Sequence, residues 1–378
     1  MAPIRVGLVG LAGFKSDGLG AHTWAVVAIL PTLFNSPDYE LVAVCNSSVE
    51  SSRRAIEFHN LPASVKAYGN PKDLADDPDV DMVFVSVLVT KHFMLAEPAL
   101  LKKKKVFVEW PLGASTQEAE KLAELARESD LGTIVGLQGR GGSVVKKAKE
   151  IIDSGKLGRI TSSSVLASTC FVPPMFPPGT EYYMSMQTGG NAFHIGLGHF
   201  LDSFTHVLGG FDPDTVQSIL KREQSEALLM TAEGGTKAIP KNVPDHWLIQ
   251  GILESGAVAS IAFRWAKYQN AVDDVGVRWI ITGTEGELEI VTPQHQWQID
   301  GPGRKLLLKL NDKEAEEVAF SEDSASAWRE QVPAIGANTA AILDSFAQGS
   351  KGEYADFDSA VKNHKLLDLL VEKSGYKY

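Results

Sequence analysis

The chain has 378 residues, of which 44% are hydrophobic and 22% are charged. This balance is typical of a globular protein, and the length predicts two or three domains. The formal net charge is −11 at pH 7, and no basic stripe accompanies an aromatic cluster, so we expect no direct nucleic-acid partner. Two distant cysteines predict neither a disulfide framework nor a metal cluster. An N-terminus that leads straight into a strand, without a membrane-length apolar run, predicts a cytoplasmic location, with the nucleus as the alternative.

The chain begins with a pattern typical of a dinucleotide-binding motif. An apolar run from Ile4 to Val9 predicts a buried strand, a glycine-rich loop follows, and helical periodicity begins near Ala21. Such a loop lets the backbone approach a phosphate, and the helix N-terminus offers unpaired N–H groups. The fingerprint is imperfect because Ala12 stands where a glycine is usual. We expect a bound dinucleotide, and the alternative is a flexible turn between a core strand and a core helix. The residues expected to contact the dinucleotide here are Gly10, Leu11, Ala12, Gly13, Gly18, Gly20 and His22.

The end of the second predicted strand bears on the choice of cofactor. An acidic side chain there would bind the ribose 2′-hydroxyl and repel a 2′-phosphate. The chain instead has Asn46, Ser47 and Ser48, and Arg53 and Arg54 follow one turn into the next helix. This pattern favours NADP over NAD, and the alternative is that the two arginines form a solvated helix face.

The first half alternates short apolar runs with helical segments, which predicts right-handed crossovers and a doubly wound parallel sheet. After the first strand, strands are predicted at 40–45, 82–87, 106–108 and 133–137, and helices near 49–59, 92–103 and 116–129. This α/β Rossmann domain is expected over residues 1–139.

Beyond residue 139, β-type runs are mostly joined by turns, which predicts an α+β domain with a large, open, mainly antiparallel sheet over residues 140–378. Strands are predicted at 160–172, 216–221, 247–253, 258–265, 278–283, 287–291 and 305–310, and helices near 143–154, 192–208, 333–348 and 359–373. The helix at 192–208 would cover one face of this sheet. The other face, if apolar, would form a homodimer, and the last two helices would pack back on the first domain.

Several motifs occur in an order that indicates a family. They are PIRVGLVGL at the start, VFVEWPLG after the fifth predicted strand, GLQGR at 136–140, GHFLD at 198–202 and VPDH at 243–246. Over nearly the whole chain this resembles the glucose-fructose oxidoreductase / inositol dehydrogenase / MocA family, and it is most similar to the branch of the fungal galactose-gene repressors. The resemblance implies a dinucleotide cofactor and a dimer through the second-domain sheet.

The family motif Glu-Lys-Pro reads Glu109, Trp110, Pro111 in this chain. In the family the lysine is implied to lie beside the nicotinamide and the substrate hydroxyl, and tryptophan cannot transfer a proton. Trp110 would instead form a wall of the nicotinamide pocket or stack on a sugar-like ring. Glu109 would accept hydrogen bonds from a ribose or amide, or else be a buried strand-end carboxylate. Pro111 and Gln138 complete the expected cofactor contacts.

The second family site usually has Gly-Gly followed by aspartate and histidine. This chain has Gly189, Gly190, His194 and His199 and lacks the aspartate. On an α-helix the two histidines would lie about 140° apart. We expect His199 to accept the substrate proton, with His194 as second candidate, because histidine needs little pKa tuning for this role. The alternative for each is a structural histidine in the core.

Further side chains are expected to bind the substrate. These are Trp110, Arg140, Tyr182 and Tyr183, although Arg140 and Gln138 could equally form structural hydrogen bonds between domains. The sequence thus predicts an NAD(P)-dependent oxidoreductase acting by hydride transfer on a sugar, polyol or other cyclic hydroxyl or keto compound. The alternative is a non-catalytic, dinucleotide-binding transcriptional regulator whose partner is another protein.

Overall fold

The structure, a computed structural model, divides into two compact units. It describes residues 2–14, 23–169, 175–231, 234–265, 275–293, 296–320, 326–350 and 352–378. The first unit comprises Met1–Gln138, Gln187–Gly190 and Ala325–His364, and the second comprises Gly139–Met186, Asn191–Ser324 and Lys365–Tyr378. Residues 325–364, which hold the last helix but one and the start of the last helix, belong to the first unit, and the rest of the last helix belongs to the second.

The sheet of the first unit is parallel throughout. Its strands among the described residues are β1 Ile4–Val9, β2 Tyr39–Cys45, β3 Lys66–Tyr68, β4 Met82–Val85, β5 Lys105–Glu109 and β6 Thr133–Gly136. They follow the order β3-β2-β1-β4-β5-β6, which places the change of direction between β1 and β4. This confirms the predicted doubly wound sheet. The short β3 was not predicted, since its three residues carry no continuous apolar run.

Helices connect the strands and close both units. Their bounds are α1 Leu30–Asn35, α2 Val49–Phe58, α3 Pro71–Asp76, α4 His92–Leu101, α5 Thr116–Glu128, α6 Ser143–Asp153, α7 Gly198–Leu208, α8 Ala334–Ala347 and α9 Phe357–Ser374. A π-helical turn at Ala25–Ile29 runs into α1, and another at Phe193–Leu197 runs into α7. Helix α8 packs in the first unit, where the Tyr39 hydroxyl donates to the Leu343 carbonyl at 2.8 Å. No helix in the described ranges is both long and apolar enough to cross a membrane.

The sheet of the second unit is mainly antiparallel, as predicted. Its strands are β7 Ile160–Thr169, β8 Gln217–Lys221, β11 His246–Ile252, β12 Val258–Trp265, β13 Val275–Gly283, β14 Gly286–Pro293, β15 Lys305–Leu310 and β16 Glu316–Glu317, and the strands β9 Glu226–Met230 and β10 Thr236–Pro240 form a separate pair. The order is β16-β15-β14-β13-β7-β12-β11-β8. Only β7 and β12 run parallel among the pairs of this sheet that the described residues form. The hairpin β9-β10 was not predicted.

Helix α7 covers one face of this sheet with aromatic side chains. Phe200 and Phe204 are fully buried and contact Trp279, with ring centroids 5.7 and 5.3 Å apart. On the opposite face, Leu166 and Leu248 are exposed on either side of Ala262 on β12. Exposed polar side chains, among them Ser164, Gln250 and Ser260, share this face. Helix α7 thus covers one face of the sheet, and the described part of the other face combines apolar and polar side chains.

Candidate functional site

The turn after β1 has a conformation that requires glycine. Gly10 has a φ of 99°, and a Cβ placed there would collide with the Ser86 carbonyl oxygen after β4. A Cβ at Gly13 would lie 3.1 Å from the backbone nitrogen of Ala55 on α2. The absence of side chains at both positions brings the loop backbone against its neighbours, as a phosphate-binding turn requires.

Two polar side chains anchor this loop through its carbonyl groups. Asn46 Nδ2 donates to the Leu11 oxygen at 2.8 Å, and His59 Nε2 donates to the Ala12 oxygen at 2.7 Å. Asn46 thus occupies the usual place of an acidic residue and holds the loop instead. His59 was missed, because an isolated histidine at a helix end gives no signal in the sequence.

A cavity of about 560 Å³ opens beside the loop, entirely within the first unit. Its described lining comprises Val9, Gly10, Leu11, Ala12, Gly13, Phe14, Cys45, Asn46, Ser47, Ser51, Arg54, Gly69, Pro71, Val87, Lys91, Met94 and Leu95. Glycine backbone, hydroxyl groups and the cations of Arg54 and Lys91 fit the adenosine and phosphates of a dinucleotide. Arg53 does not line this cavity, and Ser48 caps α2 by accepting from Ser51 N. The predicted contacts Gly18, Gly20 and His22 lie outside the described residues.

Glu109 ends β5 as a buried carboxyl group, 9% exposed. Trp24 Nε1 donates to its Oε1 at 2.9 Å, and Gln138 Nε2 donates to its Oε2 at 2.8 Å. Burial raises the pKa of Glu109 to about 8, although both hydrogen bonds act in the opposite direction. Gln138 therefore lies beside Glu109, and the Trp24 contact was not predicted.

Trp110 occupies the position of the family lysine and is only 5% exposed. Its ring lies 4.7 Å from that of His364 on α9. The Pro111 carbonyl is 2.8 Å from His92 Nδ1. The indole thus packs in the first unit and leaves little surface for a stacking substrate.

The π-helical turn before α7 changes the expected relation of the two histidines. His194 lies in the π-helical turn Phe193–Leu197, whose hydrogen bonds run from i to i+5, and His199 lies in α7. The angle expected for a continuous α-helix therefore does not apply between these two histidines. Such turns are frequent at functional sites.

The surroundings of the two rings differ. His194 Nδ1 lies 3.1 Å from Asn191 Oδ1, and Asn191 is fixed in turn by donating to the Ser185 carbonyl at 2.9 Å. This contact makes Nδ1 the donor and puts the ring lone pair on Nε2. His199 is 4% exposed, and its Nδ1 has no partner within the described structure. Burial lowers the pKa of His194 to about 4 and that of His199 to about 3.

Three side chains of the second unit that were predicted to bind the substrate contact other protein side chains instead. Arg140 makes a bidentate contact with Asp202, at 2.9 Å from Nε and 2.7 Å from Nη2. Tyr183 packs 5.8 Å from the Trp265 ring and 6.1 Å from Tyr182. The guanidinium of Arg140 is thus engaged by a buried carboxylate, and the tyrosines belong to an aromatic cluster.

Comparison with known proteins agrees with the division of the chain into two units. Residues 4–137 match the model of the oxidoreductase family with an NAD-binding Rossmann fold, GFO_IDH_MocA. Residues 143–292 match the model of the Gal80p C-terminal domain.

Two similar proteins, and a solved structure of one of them, illustrate the dehydrogenase and the regulator sides of this similarity. A protein named dehydrogenase aclE from Aspergillus oryzae is 29% identical over 98% of this chain and 96% of its own length. The galactose/lactose metabolism regulatory protein GAL80 of Kluyveromyces lactis is 32% identical over 76% of this chain and 64% of its own length. The crystal structure of the transcriptional regulator Gal80p from K. lactis superposes with a TM-score of 0.81, 26% identity and coverage of 99% of this chain and 92% of that chain. The chain belongs to the GFO_IDH_MocA family of NAD-binding Rossmann oxidoreductases, near its Gal80 branch.

Proposed function

We propose that this protein is an NADP-dependent oxidoreductase acting on a sugar, polyol or other cyclic hydroxyl or keto compound. The observation that carries the proposal is the first unit's cavity, formed by a glycine turn that admits no Cβ and lined by cations. A nicotinamide dinucleotide held there supplies the hydride acceptor or donor. The similarity to a protein named as a dehydrogenase over nearly its full length supports the same class.

His194 is our candidate for the proton acceptor, in place of the first choice from sequence, His199. A base must present a lone pair in a fixed direction. Asn191 fixes the tautomer and orientation of His194, whereas no side chain orients the buried Nδ1 of His199. With a pKa near 4, the His194 ring is in its accepting, neutral form in neutral solution.

NADP is proposed over NAD because a cation and hydroxyl groups replace the usual carboxylate. Arg54, Ser47 and Ser51 line the cavity near the end of β2. An arginine guanidinium suits a 2′-phosphate through charge-assisted hydrogen bonds.

The test is to measure turnover by the purified protein with NADP⁺ and a panel of cyclic alcohols, and with NADPH and a panel of cyclic ketones. The absorbance of the reduced nicotinamide reports the turnover. His194→Gln is expected to lower kcat by about a hundredfold to ten-thousandfold, the usual contribution of general base catalysis. His199→Gln is the matched comparison. A loss confined to His199→Gln would restore the sequence-based assignment and contradict ours.

A second function is favoured by Trp110. The family lysine is replaced by a buried indole, and the second unit matches the Gal80p C-terminal model. A regulator would bind the dinucleotide and a protein partner without chemistry. Tight NADPH binding with no turnover across the panel would favour this function over the enzyme.

The remaining proposals concern assembly and location. We propose a homodimer through the uncovered face of the second unit's sheet, where exposed apolar side chains from neighbouring strands lie side by side. We also propose a cytoplasmic location if the protein is an oxidoreductase, and the nucleus as the alternative if it is a transcriptional regulator.

A further inference from the structure

Glu109 lies where the second half of a dinucleotide is expected. In a sheet ordered β3-β2-β1-β4-β5-β6, a dinucleotide binds across the carboxyl ends of the strands, with one half over each group of three. The cavity beside β1 and β2 fits the adenosine half. The nicotinamide half therefore belongs at the ends of β4 and β5, and Glu109 is the last residue of β5. This step rests on the proposed dinucleotide site.

The hydrogen-bond partners of Glu109 suit both of its protonation states. The indole of Trp24 can only donate, and it donates to one carboxyl oxygen. The backbone N–H of Trp110 also hydrogen-bonds to this carboxyl group and favours its ionised form. The amide of Gln138 can donate or accept. It donates from Nε2 in the observed orientation, and its Oε1 is buried without a partner in the described structure. Rotation of this amide would let Oε1 accept the proton of a neutral Glu109.

Among the described residues, no side chain with a fixed positive charge forms an ion pair with the ionised form of Glu109. The described part of the first helical segment, residues 23–35, has no charged side chain, nor do the neighbouring strands β4 and β6. The titratable groups facing this end of the sheet are Lys91 and His92 at the start of α4 and His364 on α9. None forms an ion pair with Glu109 among the described residues. Burial lowers the pKa of His92 to about 4, although its two ring nitrogens lie 2.8 and 3.0 Å from the Pro111 and Val87 carbonyl oxygens, and neither nitrogen contacts Glu109.

We propose that Glu109 exchanges a proton with solvent according to the charge of the bound nicotinamide. Glu109 is neutral beside the uncharged reduced ring and becomes a carboxylate beside the positively charged oxidised ring. The step is a proton release to solvent on binding of the oxidised form and transfers no electrons. An acid buried without a cation has the pKa of about 8 that this exchange needs, and the incoming pyridinium supplies the missing positive charge.

The size of the effect follows from the separation of charges. A positive charge within about 4–6 Å lowers the pKa of a carboxyl group by about 1–3. The preference for the oxidised over the reduced cofactor should therefore rise by about tenfold to a thousandfold from mildly acidic to mildly alkaline pH. At pH 7, with a pKa that falls from about 8 by about 1–3, NADP⁺ binding should release about 0.4 to 0.9 proton more than NADPH binding does.

Calorimetric titration of the whole protein with NADP⁺ and with NADPH, each in phosphate and in Tris buffer at neutral pH, counts the protons released. Both cofactors carry the same 2′-phosphate, so its own titration cancels in the comparison. We expect the difference between the two cofactors to be about 0.4 to 0.9 proton at pH 7. Equal proton counts would overturn the proposal even if binding is tight, whereas failure of either cofactor to bind would instead contradict the proposed function.

Glu109→Gln removes the titrating group while keeping an acceptor for Trp24. It is expected to abolish the difference in proton release and to make the NADP⁺/NADPH affinity ratio independent of pH. The control is Glu124→Gln, an exposed acid on α5, which should behave as wild type. A Glu109→Gln protein that binds both cofactors and still shows the full difference would contradict the proposal. If that variant does not fold, the wild-type comparison decides.

Gln138→Leu supplies an independent check. It removes a donor to the carboxylate, so the pH at which the affinity ratio changes should move upward, without loss of the effect. A downward movement would contradict the role given to the Gln138 amide.

Discussion

At the scale of residues, the proposed preference for NADP over NAD depends on which of two arginines faces the cavity. Arg53 and Arg54 are adjacent and equally suggestive in the sequence, but only Arg54 lines the cavity. Helical geometry explains the difference, because neighbours on a helix point about 100° apart. The sequence predicted a cation near the start of α2, and the direction in which each side chain leaves the helix decides that this cation is Arg54.

Arg54→Ala is expected to weaken NADPH binding by about 10- to 100-fold, the value of one or two charge-assisted hydrogen bonds, and to leave NADH binding nearly unchanged. Arg53→Ala is the control, with the same loss of charge outside the cavity. Fluorescence titration of the reduced nicotinamide measures both. An equal loss in the two variants would mean that only the general charge of α2 matters.

At the scale of elements, the sequence predicted some parts of the candidate site and missed others. The strand and glycine turn were predicted because apolar runs and glycines act through local geometry. The π-helical turn before α7 was not, since no residue pattern distinguishes it from an α-helix. It nevertheless decides how His194 and His199 are related along the helix.

Gly10→Ala should disrupt the turn after β1. The substitution forces a side chain into a positive φ and against the Ser86 carbonyl, so we expect a loss of about 1–3 kcal/mol in unfolding free energy and loss of NADPH binding.

Gly349→Ala is the control within the same unit, because Gly349 has a φ of 71° and nothing within 4 Å of its Cβ position. It should cost about 1 kcal/mol and keep NADPH binding. Thermal denaturation and NADPH titration measure the two effects. Retained NADPH affinity in Gly10→Ala would contradict the close approach of backbone and phosphate.

At the scale of the whole molecule, the uncovered sheet face is the interface of the homodimer that we propose. The paired positions Leu166, Ala262, Leu248 and Ile219 form a row across β7, β12, β11 and β8. Leu166 is 67% exposed and Ile219 is 60% exposed. An apolar row on a sheet face without cover favours association with a second copy.

Leu166→Lys is expected to raise the dimer dissociation constant by at least about tenfold, because a lysine charge would have to be buried at the interface. Leu228→Lys, at an exposed leucine on the separate hairpin, is the matched control. Light scattering after gel filtration over a range of concentrations measures the mass. A monomeric wild-type protein, or a dimer unaffected by Leu166→Lys, would contradict this interface.

The sequence by itself determined the two sheets, most of their strands and helices, and the glycine turn of the dinucleotide site, since these depend on local periodicity and turn chemistry. The strands β3, β9, β10 and β16 and the helix α3 were not predicted. The tertiary structure decided the state and partners of the side chains. Trp24 and Glu109 are 85 residues apart in sequence, and the pKa of Glu109 depends on burial that no local pattern encodes. The same is true of Asn46 and His59, which hold the loop from other elements. Chemistry at this site is set by desolvation and by contacts between distant residues, and only the folded chain brings these about.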